Sequence, residues 1–302
     1  MSTSVAGQRT PRRRAINKEA MVGYSFVLPA LLLFAVFIFA SMIYAFWISL
    51  QQWDILSPPK YIGGDNYQTL FRDPVFRSSI WNTLYFTIGS VPICIVISLA
   101  LAILLNQRIR FRYLFRSALF MPVVTSLVAV GLLWRFMFAT EYGVINYLLS
   151  LLGLPTQSWL VNPKLAMPAV IVADVWRHVG YNMVIFLAGL QSIPEHLYEA
   201  AAIDGSNKWA SFWRITLPLL RPTTLFVVII SIINSFRSFE LIYTMTGGGP
   251  GYDTMVLVLY LYREAFQLHR MGVASAAAYI LFVILMVLTI LQMRVFGREV
   301  EY

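Results

Sequence analysis

The amino-acid sequence predicts an all-α polytopic membrane protein with six transmembrane helices and both termini in the cytoplasm. Of its 302 residues, 59% are hydrophobic and only 12% are charged, whereas a soluble domain carries about 25% charged residues. Six apolar runs are each long enough to cross a bilayer, which takes about 20 residues. Lysine and arginine are concentrated in alternate connecting segments, a bias that sets the orientation of membrane proteins.

The apolar runs define one transmembrane domain over residues 23–293. The first run exceeds the apolar part of a signal peptide, which is about 7–15 residues, so we expect an uncleaved span. The stretch Met255–Tyr262 is too short to cross and is interpreted as a short helix at the outer interface. The expected spans are about 23–50, 80–105, 117–139, 165–190, 223–246 and 272–293.

Basic residues indicate which connecting segments face the cytoplasm. If the N-terminus is inside, the inner segments carry fourteen Lys and Arg residues against six in the outer ones, as the positive-inside rule requires. The net charge of +9 therefore reflects orientation, and no nucleic-acid partner is expected. Because Cys94 is the only cysteine, an internal disulfide and a cysteine-based metal site are excluded. The inner segments are the basic tail 1–22, residues 106–116, residues 192–222 and the tail 294–302.

The inner segment 192–222 is amphipathic and charged, unlike the apolar runs on either side. Ser192 followed three residues later by Glu195 is the capping-box pattern, which predicts a helix beginning at Ile193. Pro194 is compatible with the first turn, where its missing N–H costs nothing. The segment is thus expected to be helical and to meet something other than lipid.

A tight turn and a second, shorter helix are predicted next. Gly205 suits the left-handed position that ends a helix, and Ser206 or Asn207 can cap the following one. The aromatic residues of that helix share one face: Trp209, Phe212 and Trp213. From these residues alone two interpretations stay open, namely tryptophans resting at headgroup depth and an aromatic face inserted into a groove on a partner.

Two spans carry polar side chains in helical phase. In each span they recur at i, i+3, i+4 and i+7, so each set occupies one helix face. Polar groups inside a membrane are costly and mark functional sites, and hydroxyl, amide and charged groups of this mix suit a polyhydroxylated solute. The expected substrate-pathway residues are Asp174, Arg177, His178 and Tyr181 on the fourth span, and Ser231, Asn234, Ser235 and Ser238 on the fifth.

These polar residues also allow other roles. Asp174 with Arg177, and Arg237 with Glu240, are spaced to form internal ion pairs. Arg177 beside His178 could instead favour an anionic solute such as a phosphorylated polyol. His178 lacks a second His or Cys nearby in sequence, so no metal site is predicted.

Two other functional classes compete with a transport subunit driven by a partner. An ion-gradient-driven secondary transporter commonly shows inverted repeats, and no convincing repeat is visible. A polytopic membrane enzyme would have only Asp174 and His178 for acid–base work, with no nucleophile motif, so no catalytic residues are predicted. No G-x-x-x-x-G-K-[ST] sequence is present either, so this chain is not expected to hydrolyse ATP.

The segment Glu199–Pro222 resembles the EAA signature of ABC importer permeases, which reads EAA, three residues, G, nine residues, then I-x-L-P. Both spacings are intact. The flanking sequences LAGLQSIPEHLYEAAAIDGS and LIYTMTGGGPGYDT, and NYQTLFRDPVF in the first outer loop, are similar to carbohydrate-uptake permeases of the maltose and glycerol-3-phosphate importer class. We expect no counterpart of the large outer domain or the extra N-terminal spans of the maltose permease.

This resemblance implies that residues 192–222 form a cytoplasmic coupling segment that docks into an ATPase subunit. The partners implied are a second permease, usually a different chain, two ABC ATPase subunits and an extracytoplasmic solute-binding protein. ATP and magnesium would then bind to the ATPases and no cofactor to this chain, a multi-pass protein of a prokaryotic inner membrane. The ATPase-coupling residues implied are Glu199, Ala200, Ala201, Asp204, Gly205, Trp209, Phe212, Trp213, Ile215, Leu217 and Pro218.

Overall fold

The computed structural model describes residues 18–107 and 109–296. The predicted tails, 1–22 and 294–302, lie largely outside these residues. A two-stranded antiparallel hairpin, β1 (Gln51–Gln52) and β2 (Lys60–Tyr61), is the only sheet in the described part of the chain. The helices are α1 (Lys18–Phe34), α2 (Ser41–Ser49), α3 (Asp65–Arg72), α4 (Pro74–Asn106), α5 (Arg112–Val124), α6 (Leu127–Met137), α7 (Val144–Leu151), α8 (Pro163–Gln191), α9 (Glu195–Ile203), α10 (Lys208–Ser211), α11 (Leu217–Leu219), α12 (Arg221–Phe236), α13 (Glu240–Met245), α14 (Leu257–Tyr262) and α15 (Met271–Phe296), with π-helical turns at Ala35–Ala40, Phe212–Thr216 and Arg263–Gln267.

Up to six membrane crossings can be drawn through the described residues. Four continuous helical stretches are long and apolar enough, and two bent helix pairs complete the number if each pair is one span. The predicted all-α polytopic fold is confirmed. The continuous stretches are Met21–Ser49, Pro74–Asn106, Pro163–Gln191 and Met271–Arg294; the bent pairs are Arg112–Val124 with Leu127–Met137, and Lys208–Leu219 with Arg221–Phe236.

The third predicted span, 117–139, is not one straight helix. Helices α5 and α6 meet at an angle of 100°. Pro122 lies inside α5, and Thr125 and Ser126 after it adopt extended backbone angles, so the helical hydrogen-bond ladder is broken there. Helix α6 is held close to α13, since a Cβ added at Gly131 would lie 1.8 Å from Thr244 Oγ1.

The fifth predicted span, 223–246, is also interrupted. Helix α12 ends at Phe236, and the chain resumes as α13 at Glu240. The break falls in a polar sequence, where the amide of Ser238 donates to the carbonyl of Ser235 at 3.2 Å. Non-helical backbone at membrane depth is tolerated where it borders protein or a polar cavity, and this break borders the cleft described below.

Helices α4 and α8 form the centre of the fold. Ser98 on α4 donates to the carbonyl of Val179 on α8 at 2.9 Å. Helix α5 packs against the same helix so closely that a Cβ at Gly180 would lie 1.9 Å from the carbonyl oxygen of Leu119. The short helix expected at Met255–Tyr262 is present as α14, and protein covers part of it, since Tyr260 is buried in the main hydrophobic core.

Candidate functional site

The coupling segment begins later than its sequence predicts. Helix α9 starts at Glu195 with Pro194 as its N-cap, and no side chain caps it. Ser192 donates back to the carbonyl of Gly189 at 2.8 Å, so the predicted capping box and the start at Ile193 are wrong. The physical reason is that a residue preceding proline disfavours helical backbone angles, and Ile193 is buried in the inner hydrophobic cluster.

The turn at Gly205 has the predicted left-handed geometry, with φ of +77°. The amide of Gly205 donates to the carbonyl of Ala202 at 3.1 Å, and the amide of Ser206 donates to the carbonyl of Ala201 at 2.8 Å. This pair of bonds is the Schellman motif that ends a helix on a left-handed glycine. The turn therefore fixes the direction in which the chain leaves α9.

The second helix of the segment presents an exposed aromatic cluster. Asn207 caps α10 by accepting from the amide of Ala210 at 2.8 Å, as the sequence predicts. The ring centroids of Trp209, Phe212 and Trp213 lie 5.3–6.2 Å apart. Trp209 remains 70% exposed and Trp213 51% exposed. Aromatic surface of this size on a short helix indicates an interaction site.

The coupling segment is attached firmly to the membrane helices. Its two arms are joined by a hydrogen bond between the hydroxyls of Tyr198 and Thr216 at 2.9 Å. Leu220, near the end of the segment, is fully buried with Phe186 and Leu190 of α8. Of the other residues assigned to coupling, Glu199, Ala200, Asp204 and Pro218 are exposed, and Ala201, Ile215 and Leu217 are partly buried.

A polar cleft of about 370 Å³ lies within the transmembrane region, where α8 faces the end of α12. It brings together six of the eight predicted substrate-pathway residues. Two charged residues beside the break after α12, Arg237 and Glu240, also line it. The six predicted residues are Asp174, Arg177, His178, Tyr181, Asn234 and Ser238.

The other two predicted residues, Ser231 and Ser235, lie behind the cleft wall and join helices. Asn182 on α8 donates to the hydroxyl of Ser231 at 3.1 Å. Ser235 is buried, and its hydroxyl lies 2.8 Å from that of Thr87 on α4. In this structure both hydroxyls therefore link α12 to neighbouring helices.

The ionic arrangement on α8 differs from the i, i+3 pair considered from the sequence. Asp174 lies 3.1 Å from Nδ1 of His178, four residues on, and not within ion-pair distance of Arg177. Nη1 of Arg177 lies 3.0 Å from Nε2 of the same imidazole. A guanidinium only donates, so the network fits a neutral imidazole with its proton on Nδ1. Within the described residues, Arg237 and Glu240 do not form an ion pair either.

The sequence prediction missed part of this polar wall. Asn182 follows Asp174 and His178 at i, i+4 and i+8, so it continues their helix face, and this spacing could have identified it. Its amide lies 3.3 Å from the sulfur of Cys94. Cys94 and Ser90 on α4 complete the polar pocket behind the cleft, and only the tertiary structure places them there.

Comparison with known proteins identifies the family of this chain. Residues 94–302 match the family "Binding-protein-dependent transport system inner membrane component". The arabinooligosaccharides transport system permease protein AraP of Bacillus subtilis is 37% identical over 97% of this chain and 94% of its own length. The trehalose/maltose transport system permease protein MalF of Thermococcus litoralis is 36% identical over 93% of this chain and 95% of its own length.

Solved structures show the same fold. A chain of a bacterial ABC transporter involved in the import of the acidic polysaccharide alginate superposes with a TM-score of 0.82 at 27% identity, over 94% of this chain and 98% of the other. That transporter is also known in complex with an alginate pentasaccharide-bound periplasmic protein.

Proposed function

This chain belongs to the binding-protein-dependent transport system inner membrane component family and is a permease subunit of an ABC importer, and from that premise we propose that its solute is a sugar or related polyol. The named relatives carry arabinooligosaccharides and trehalose or maltose. Such solutes need many hydrogen-bond donors and acceptors, and the cleft between α8 and α12 offers hydroxyl, amide and charged groups.

The charges lining the cleft favour a neutral solute over an anionic one. The cleft carries equal numbers of arginines and carboxylates, since Arg177 and Arg237 are matched in number by Asp174 and Glu240. A site for a phosphorylated polyol would need uncompensated positive charge, since phosphate binding depends on charge-assisted hydrogen bonds. In the proposed mechanism, the solute therefore passes along a polar wall that carries no net charge.

Energy enters through the coupling segment. ATP and magnesium bind to partner ATPases, and the exposed rings of Trp209 and Trp213 enter a surface groove there. When the ATPases close, the segment moves as a unit because the Tyr198–Thr216 bond joins its arms and Leu220 anchors it in the inner core. The membrane helices then rock between inward- and outward-open states. The observation that carries this proposal is the helix–Gly205–helix unit with its exposed aromatic cluster.

The test is uptake by the complete complex, with partner permease, ATPases and binding protein, in proteoliposomes. Uptake should require both ATP and the binding protein, and Asn234→Leu should lower it while the complex still assembles. Asn234 is exposed in the cleft, so the substitution removes its amide from the cleft without creating a steric clash in the protein interior. Uptake driven by an ion gradient without ATP would contradict the proposed mechanism.

A further inference from the structure

An uncompensated group of arginines lies at the cytoplasmic end of α4 and the start of α5. Arg110, Arg112 and Arg116 fall within seven residues, and the sequence contains no Asp or Glu between Pro74 and Thr140. Among the described residues, none of the three forms an ion pair. This basic cluster is therefore available for an external anion.

Aromatic side chains interleave with the guanidinium groups. Arg110 stacks over Phe111, with its Cζ 5.2 Å from the ring centroid, and Arg112 lies 4.8 Å from the centroid of Tyr113. Arg116 donates to the carbonyl of Leu105 at the end of α4 at 3.2 Å. Phe111 has a left-handed backbone, with φ of +63°. The cluster is thus held against the helix ends instead of projecting on free side chains.

The depth of the cluster matches lipid headgroups. Leu114 is 67% exposed and Phe115 51% exposed, and they belong to the same helix that continues as an apolar span. Arginines that immediately precede an exposed apolar helix on the cytoplasmic side lie at the height of the anionic leaflet surface. Exposed aromatic rings beside them are typical of the membrane interface.

An apolar groove starts on α5 at Ala118, two residues after Arg116 in the sequence. Its volume is about 750 Å³, and it is lined by Ile97 and Leu101 on α4, Ala118 and Pro122 on α5, and residues of α6 and α8. From Arg112 to Pro122, α5 rises about 15 Å at 1.5 Å per residue. This is half of the bilayer's hydrocarbon thickness of about 30 Å, the depth of one leaflet.

We propose that the basic cluster and this groove form one binding site for an anionic glycerophospholipid of the inner leaflet. The phosphate lies among Arg110, Arg112 and Arg116, and one acyl chain fills the groove between α4 and α5. The two parts of the site together specify this lipid. The arginines match the charge of its phosphate, and the groove that follows them on α5 is long enough for an acyl chain.

The test uses the assembled importer complex in nanodiscs with spin-labelled phosphatidylglycerol or phosphatidylcholine, read by electron paramagnetic resonance. The wild-type complex should retain phosphatidylglycerol more strongly than phosphatidylcholine. Arg110→Gln with Arg112→Gln should weaken phosphatidylglycerol binding about 25-fold, at about fivefold per arginine near a headgroup. Arg116 is left intact because it caps α4. The matched control is Arg135→Gln, an exposed arginine in the last turn of α6, which should change nothing.

A second variant tests the groove itself. Ile97→Trp should fill it and reduce retention of both lipids, whether or not the arginine variant folds well. Equal retention of the two lipids by the wild-type complex would overturn the proposal, as would unchanged phosphatidylglycerol binding in the arginine variant. A photoreactive group at position 97 that captures a helix of the partner permease instead of lipid would also overturn it.

Discussion

Gly205 offers the sharpest perturbation of the coupling segment, because its substitution changes backbone energy and almost nothing else. No atom lies within 4 Å of a Cβ added there, and φ is +77°. Gly205→Val therefore causes no clash, and its cost is that of a left-handed L-residue, about 1–2 kcal/mol, with a β-branched residue at the upper end. That energy corresponds to about a five- to thirtyfold loss of the native turn relative to competing conformations.

The assay compares solute uptake with ATP hydrolysis by the reconstituted complex. Gly205→Val should lower the amount of solute transported per ATP hydrolysed, because the chain no longer leaves α9 in a fixed direction and the aromatic cluster after the turn is no longer held in place. The matched control is Gly153→Val in the outer loop: Gly153 has φ of +70° and equally open surroundings, so its backbone cost is the same. The control should leave the uptake-to-hydrolysis ratio unchanged.

Two results would refute this reasoning. If Gly205→Val keeps the wild-type ratio, the left-handed turn does not transmit movement. If Gly153→Val lowers the ratio equally, the effect reports general destabilisation. Gly205→Asn supplies a graded check, since asparagine tolerates left-handed angles better than valine and should fall between the wild type and Gly205→Val.

Four substitutions test the cleft, the helix packing and the outer face separately. Asn234→Leu should reduce uptake at normal complex yield. Ser235→Ala should leave uptake nearly unchanged and cost about 1 kcal/mol of stability, because a buried hydrogen bond is lost. If uptake and thermal-melting measurements give the same result for both variants, the assignment of Asn234 to the cleft is wrong. Gly180→Ala should force α5 from α8 and destabilise by about 1–3 kcal/mol, visible as a lower Tm. Burial raises the pKa of Glu264 and Arg270 opposes the rise, so Arg270→Gln should raise that pKa further. When the pKa of Glu264 in the folded protein lies above its ordinary value of 4.5, the folded state binds more protons than the unfolded state. The Tm of the variant should therefore fall as the pH rises above 4.5. A loss of Tm that is the same at every pH would contradict this.

Local patterns in the sequence were sufficient for features that depend on a few neighbouring residues. The left-handed Gly205 and the Asn207 cap are confirmed, since both follow from backbone and side-chain preferences within one turn. The capping box at Ser192 failed because Ile193 is drawn into the inner core, a tertiary contact that the pattern does not contain. The 3.6-residue period likewise predicted which faces of α8 and α12 are polar.

The sequence by itself predicted the membrane class, the orientation and the coupling segment that we propose to meet the ATPases, because hydropathy, charge bias and signature spacing are local properties of the chain. Only the tertiary structure decided how the polar faces are used. It placed Asn234 in the cleft and Ser235, one residue on, in a buried bond to α4. It also set His178 rather than Arg177 against Asp174. A helical face spans more than 100°, so one polar stripe can line a cavity along one edge and bind a neighbouring helix along the other.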